Sequence, residues 1–534
     1  MPSIVRLAAA LALLAGLPCG QAATLPPADL VIAGGHVHDG SGAPAVVGDV
    51  VIAGDRVIAV GPAAGRRYAA TRTIDATGRI VAPGFIDPHT HPYTYLRSAD
   101  ARIRRNAPWQ YQGVTTIAHG VDGGGTPEVE RERTAFEQAG IGTNLVPYVG
   151  FGPVRRAVLG DAARAPDADE LARMRALVAQ GMCEGAFGFS TGLFYAPQRF
   201  ASQAEVVALA REAARRGGLY DTHQRDESSY DIGLLASTRE ALAIGREAGL
   251  PVHIAHLKAL GSDVHGQAPA LVALIEQARA EGQRVTADQY PWLASSTGIT
   301  AALLPGWAVD GGDRALLQRL QAPEARARIR AAMADNLRRR GGAEALLLIS
   351  AGQEWTGRTL AQMAGQWRID PLDAALRIIE HGIHHPGRSG AVASFNMDDD
   401  DVQLLMRQPW MVTSSDGSDG HPRQYASFPQ KYQRYVRELG VLSTEAFIHR
   451  STALTARILG LEQRGELQPG FFADVVVFDP RHYLPHADYL HPSELSSGIA
   501  LLVVNGRIAI EDDVQTEVLA GRVLRHSPPA GTCP

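Results

Sequence analysis

Ile80-Val81-Ala82-Pro83-Gly84-Phe85-Ile86-Asp87-Pro88-His89-Thr90-His91 is an apolar run that stops abruptly on Asp87, His89 and His91. Residues 80–86 read as a buried strand. Side chains two apart on extended backbone face the same way, so His89 and His91 can aim two imidazoles at one point. A divalent metal requires that arrangement. A pair of histidines hydrogen-bonded to other groups would look the same in this fragment alone, so the decision rests on what surrounds it.

Working outward, the same grammar recurs. Apolar stretch 115–118 runs into a glycine-rich loop holding Asp122; 219–222 ends at His223; 251–255 at His256; 284–287 at Asp288; and 410–414 at Ser415-Asp416. Between them the spacing predicts helices over 203–216, 231–248 and 269–281, the first opened by a capping box from Ser202 and Glu205. Strand–helix alternation with polar residues where strands stop predicts an α/β fold, a (β/α)8 TIM barrel with its site at one end. Four imidazoles (His89, His91, His223, His256) with the carboxylates of Asp122 and Asp416 form a candidate metal centre for one or two divalent ions. Nitrogen and hard oxygen donors favour zinc and accept manganese, cobalt or iron. Asp416 is placed either to take a proton from a metal-activated water or to close an Asx turn in Ser415-Asp416-Gly417-Ser418-Asp419-Gly420.

The two ends of the chain read differently. Runs 29–33 and 36–39 flank Gly34-Gly35, 50–53 and 56–60 flank Gly54-Asp55, and 501–504 and 507–510 flank Asn505-Gly506; all three read as hairpins, and 475–478 as a further strand. The resulting division is a small β-sandwich from residues 24–80 and 465–534, a barrel from 81–297 and 389–464, and an inserted helical subdomain over 298–388 with no visible chemistry. The run Arg338-Arg339-Arg340 reads as a solvated helix end.

Arg6, the apolar run 7–17 and the small residues up to Ala23 read as a secretory signal over 1–23, cleaved after Ala22 or Ala23. The expected destination is the periplasm or the medium, since Pro18 makes Cys19 a poor lipidation site. Cys183 and Cys533 are then too few for a disulfide framework, and Cys183 reads as a buried apolar packing residue. A formal net charge of −5 gives nucleic acid no basic footprint. No stretch after the leader has the length and apolarity for stable membrane insertion. Ser415 and Ser418 lack the Gly-x-Ser-x-Gly elbow of a serine hydrolase, and Gly123-Gly124-Gly125 lacks the Lys-Ser/Thr ending of a phosphate loop.

The ordered set of fragments resembles the amidohydrolase superfamily, in particular its D-aminoacylase (N-acyl-D-amino-acid deacylase) family. The matching pieces are the opening stretch, Gln112-Gly113-Val114-Thr115-Thr116, Gly185-Ala186-Phe187-Gly188-Phe189-Ser190-Thr191-Gly192-Leu193 and Thr222-His223-Gln224-Arg225-Asp226-Glu227. They continue with His256-Leu257-Lys258, Asp288-Gln289-Tyr290-Pro291-Trp292, Ser415-Asp416-Gly417, His421-Pro422-Arg423 and Gly470-Phe471-Phe472-Ala473-Asp474-Val475. The resemblance implies His89 and His91 on one metal with Asp416 beside it as catalytic base and ligand, and His223 and His256 on the other. Asp122 stands where the family carries a metal-ligating cysteine; a carboxylate can bridge two ions, but hard oxygen in place of sulfur weakens discrimination for zinc. Lys258, Tyr290 and Arg423 are implied as partners of a substrate carboxylate. A structural salt bridge for Arg423 and a supporting role for Lys258 remain open at this point. Arg225 and Glu227 either orient the pocket or form an internal ion pair.

The implied function is hydrolysis of a small-molecule substrate with a free carboxylate: an N-acyl amino acid, of D configuration in the family, or a D-containing dipeptide. The alternatives are a cyclic amidase or lactonase of the same superfamily, and a noncatalytic periplasmic binding protein.

Overall fold

The computed structural model describes residues 25–385 and 390–533. The leader expected over 1–23 lies outside them. Among the described residues no helix is long and apolar enough to cross a membrane.

Eight parallel strand positions build the barrel. Phe85–Asp87, Val114–His119 and Asn144–Pro147 form one run of neighbours. The third continues past Tyr148 into Val149–Gly150, which opens a second run through Gly188–Gly192, Leu219–His223, Val252–Ile254, Val285–Gln289 and Met411–Thr413. Closure falls just beyond the strand ends, where Thr90 bridges Gly417 in parallel and the His91 N–H donates to the Gly417 carbonyl at 2.9 Å. The helices between strands are amphipathic. Gln203–Arg215, capped by the Ser202 hydroxyl on the Glu205 N–H, buries Val206, Leu209, Ala210 and Ala213 against the strand layer. Polar side chains at the strands' carboxyl ends are thereby gathered at one mouth.

Both termini share one nine-stranded sheet, ordered Val514–Gln515, Arg507–Glu511, Ile499–Val504, Val475–Phe478, Ile80–Pro83, Pro27–Val37, Val46–Ala53, Arg56–Gly61, with Ala69–Asp75 also on Pro27–Val37. Leu30, Ile32, Val50 and Ile52 from one arm pack with Val475, Val477, Leu501 and Val503 from the other. The hairpins at Gly54-Asp55 and Asn505-Gly506 form as the turn residues dictate. Gly34-Gly35 does not make a turn: Pro27–Val37 is one strand with an irregularity between Ile32 and Gly35. Gly34 takes φ 71°, and a Cβ on Gly35 would fall 2.4 Å from Val81 Cγ2. A glycine pair serves a bulge as well as a turn. The opening stretch is also divided. Ile80–Pro83 belongs to the terminal sheet and only Phe85–Asp87 to the barrel; the chain crosses between them at Gly84, packed so closely on Thr115 that a Cβ would fall 2.3 Å from its Cγ2.

The insert is not purely helical. Ala294–Gly298, Ala391–Phe395, Leu346–Leu348 and Arg358–Thr359 form an antiparallel sheet under the helices Ile299–Leu303, Gly312–Gln321, Pro323–Arg339, Leu360–Trp367 and Pro371–His384, with a core of its own. The first and last of these strands in the sequence, Ala294–Gly298 and Ala391–Phe395, therefore reach beyond the expected limits of 298 and 388. Cys183 is bonded to Cys533 rather than packed as a free thiol: the C-terminal segment returns along the barrel, where the Leu524 N–H donates to Leu145 O and the His526 N–H to Gly185 O.

Candidate metal centre and substrate pocket

Each candidate ligand sits where a barrel strand has just ended, and three of them sit on unusual backbone. Asp122, His256 and Asp416 have φ of 53°, 34° and 48°. Left-handed backbone costs an L-residue free energy, and here it turns side chains from separate strands into one mouth. The His256 turn is clamped by Asp288, whose carboxylate accepts from the His256 N–H at 3.0 Å and whose carbonyl accepts from the Leu257 N–H at 2.9 Å.

The Asp122 carboxylate is the hub. Its Oδ1 lies 3.4 Å from His89 Nε2, 3.6 Å from His223 Nδ1 and 3.4 Å from His256 Nε2, and its Oδ2 lies 3.5 Å from His91 Nε2. Asp416 Oδ1 is 3.7 Å from His89 Nε2 and 3.2 Å from His91 Nε2. Ligand atoms about 2.1 Å from a tetrahedral ion are separated by about 3.4 Å, so these spacings suit donors sharing an ion better than direct hydrogen bonds. Among the described residues both ring nitrogens of His89, Asp122 Oδ1 and His223 Nε2 are buried without a hydrogen-bond partner. The donors therefore fit one ion held by His89, His91 and Asp416 and a second by His223 and His256, with Asp122 reaching both. The electrostatics agree. Burial would depress the His89 imidazolium, yet the Asp122 and Asp416 carboxylates raise it to about 10. Burial likewise opposes ionisation of Asp416, but Arg423 and the histidines hold it well below the usual carboxylate range. Such a cluster calls for positive charge between its members.

Glu227 supports the second pair of rings from behind. Its Oε1 is 3.1 Å from His256 Nδ1 and 2.7 Å from Lys258 Nζ, and its Oε2 is 3.8 Å from His223 Nε2. A carboxylate on the far nitrogen fixes a ligating imidazole's orientation and basicity. Arg225 points elsewhere, onto Glu240 at 2.8 Å, and is the internal ion pair of the two. Asp288 lies near His89 without a hydrogen bond to it, its Oδ2 being 4.0 Å from His89 Nδ1 and 3.0 Å from His253 Nε2.

Lys258, Tyr290 and Arg423 line the same cavity of about 390 Å³ as His91, Asp122 and Asp416. Arg423 makes the salt bridge that the sequence left open, Nη1 to Asp416 Oδ2 at 2.7 Å, and donates to the Ser418 hydroxyl at 3.0 Å. Its Nε is buried and unpartnered. The Tyr290 hydroxyl faces Met397 Sδ at 3.7 Å and lies beside the Arg423 guanidinium. Lys258 is committed to Glu227 and to the His256 carbonyl.

An amidohydrolase family model matches residues 72–510, from within the strand Ala69–Asp75 through the whole barrel to the strand Arg507–Glu511. The chain belongs to the amidohydrolase family. Within it the likeness is to N-acyl-D-amino-acid deacylases along nearly the whole length. The D-aminoacylase of Alcaligenes xylosoxydans xylosoxydans is 34% identical, over 94% of this chain and 98% of that protein. The N-acyl-D-glutamate deacylase of the same organism is 33% identical, over 93% and 96%. The crystal structure of N-acyl-D-glutamate deacylase from Bordetella bronchiseptica, with zinc and a phosphonate mimic of the tetrahedral intermediate, superposes with a TM-score of 0.79 at 31% identity, covering 93% of this chain and all of that one.

In this amidohydrolase the insert also reaches the site. Ser295, Ser296, Thr297 and Arg340 line the cavity beside Tyr195 and Tyr230. Arg340 is thus no solvated helix end: it is buried, whereas Arg338 is solvent-facing and paired with Asp263 at 2.7 Å. Arg338 and Arg339 both turn to Asp263 and Asp335 while Arg340 turns inward, and the composition of the run does not say which one does so.

Proposed function

We propose that this amidohydrolase removes the acyl group from N-acyl-D-amino acids, with one or two divalent ions, zinc foremost, held by His89, His91, Asp122, His223, His256 and Asp416. The observation that carries the reading is the Asp122 carboxylate set among four imidazoles, with the Asp416–Arg423 pair against it in one cavity. Bound there, such ions polarise the amide carbonyl and lower the pKa of a water. The chain's own groups supply the rest. Asp416, ionised and touching both first-site histidines, accepts the water's proton and returns it to the departing nitrogen. A substrate carboxylate takes up Arg423 Nε and the Tyr290 hydroxyl, donors that the protein itself leaves without strong acceptors. Glu227 holds the His256 ring, and Asp288 the His256 backbone, in place throughout.

The reading extends to export, supported by the leader-like sequence and by the Cys183–Cys533 disulfide, a bond that persists in oxidising compartments. Metal analysis of the purified protein, with turnover of N-acetyl-D- and N-acetyl-L-amino acids, dipeptides, hydantoins and lactones, tests the whole. Bound zinc and preferential cleavage of the N-acetyl-D-amino acids are expected. A metal-free protein, or one whose hydrolysis ignores added metal, overturns the reading.

A further inference from the structure

Arg340 follows the helix Pro323–Arg339 and is only 1% exposed. Its Nε donates to the Ala302 carbonyl at 3.1 Å and its Nη1 to the Ser394 hydroxyl at 3.1 Å. Among the described residues no carboxylate comes within 4.0 Å of it, although it lines the cavity that holds His91, Asp122 and Asp416. A buried guanidinium without a counter-charge is costly, and proteins seldom keep one unless something supplies the anion. The neighbouring acids are committed: Glu227 to Lys258, Asp416 to Arg423, and Asp419 at the rim accepts from Gln424.

A second donor stands with it. The Tyr230 ring centroid is 5.5 Å from the Arg340 guanidinium carbon, and among the described residues the Tyr230 hydroxyl is buried without a partner. Asn396, two residues after Ser394, steadies this lining from outside it, its Oδ1 accepting from the Ser295 hydroxyl at 3.2 Å. Among the described residues this side of the cavity thus presents a guanidinium and a phenol hydroxyl with no carboxylate to pair with them.

We propose that Arg340, with the Tyr230 hydroxyl, binds a second carboxylate of the substrate, so that the preferred substrates are N-acyl amino acids carrying two carboxylates. This rests on the deacylase reading for the first carboxylate, which Arg423 and Tyr290 take. The second belongs either to the amino-acid side chain or to a dicarboxylic acyl group, and the two sources are separable by substrate.

The test uses the zinc-loaded full chain, with kcat and KM measured on N-acetyl-D-glutamate, N-acetyl-D-leucine and N-succinyl-D-leucine, and calorimetric binding of D-glutamate against D-glutamine. The wild type favours one of the two diacids over N-acetyl-D-leucine, and which one identifies the source. Arg340→Met lowers kcat/KM on that diacid by about 10- to 100-fold, mainly through KM, and leaves N-acetyl-D-leucine within about threefold. Arg340→Lys recovers part of the loss, and Tyr230→Phe, which keeps the ring, shows a smaller loss of the same selectivity. Equal losses on all three substrates, or none on the diacids, overturn the proposal while leaving the deacylase reading intact. If no N-acyl amino acid is cleaved but D-glutamate outbinds D-glutamine only when Arg340 is present, the deacylase reading fails and the anion site stands. Absence of that binding difference together with absence of cleavage overturns both.

Discussion

The barrel mouth and the wall that the insert builds face the same cavity but are held together differently. At the mouth, charges of opposite sign are matched at short range: Asp122 touches four imidazoles, Glu227 ties Lys258 to His256, and Arg423 lies on Asp416. On the wall, Arg340 and the Tyr230 hydroxyl beside it, which the barrel loop after Leu219–His223 contributes, lack acidic partners among the described residues. A matched cluster fixes its geometry before substrate arrives and suits chemistry common to every substrate. An unmatched wall is completed only by the ligand and suits discrimination between substrates.

Four changes probe that division, in falling order of expected effect. Asp416→Asn keeps the shape of the side chain and removes its basicity, so kcat should fall about a thousandfold or more on every substrate alike. A variant that spared one substrate class would show the mouth to be selective and dissolve the contrast. Asp122→Asn should weaken metal retention by about 10- to 100-fold, read by titrating the protein with zinc against a competing chelator. Unchanged retention would remove Asp122 from the hub. Next comes the substrate-dependent loss expected of Arg340→Met, which belongs to the wall alone. Last, Cys533→Ser should leave the kinetics untouched and lower the melting temperature by a few degrees under non-reducing conditions, since the 183–533 link ties down the tail at the end of the barrel away from both regions. A change in kcat/KM there would mean that the tail reports to the cavity.

The same contrast governs what can be read from the sequence. Strand-end donors such as His89 and His91, or the hairpin at Asn505-Gly506, are set by neighbours a few residues away, and local periodicity and turn chemistry announce them. The wall depends on residues far apart in the chain. Arg340 turns inward because the strand Ala391–Phe395 brings Ser394 beneath it, and nothing in Arg338-Arg339-Arg340 foretells that contact. The insert's sheet escaped for a related reason: Leu346–Leu348 is three helix-favouring leucines, made a strand by Ala391–Phe395 and Arg358–Thr359. Glu227 was visible as a carboxylate four residues after His223, but only the fold separates it from Arg225, which turns to Glu240. Cys183 and Cys533, 350 residues apart, carry no spacing signal at all.

The left-handed backbone at Asp122, His256 and Asp416 also restricts which residues evolution or design can install there. Such a position is filled at least cost by glycine, asparagine or aspartate, and a branched or bulky replacement adds about 1 to 2 kcal/mol of strain before any chemistry is counted. Aspartate is the member of that short alphabet that also brings a negative, two-oxygen donor. Exchanging Asp122 for a cysteine thus alters more than ligand softness: the thiolate would have to bear the turn as well, and a redesign aimed at metal preference would begin with the loop around Gly120 and Gly123, not with the ligand alone.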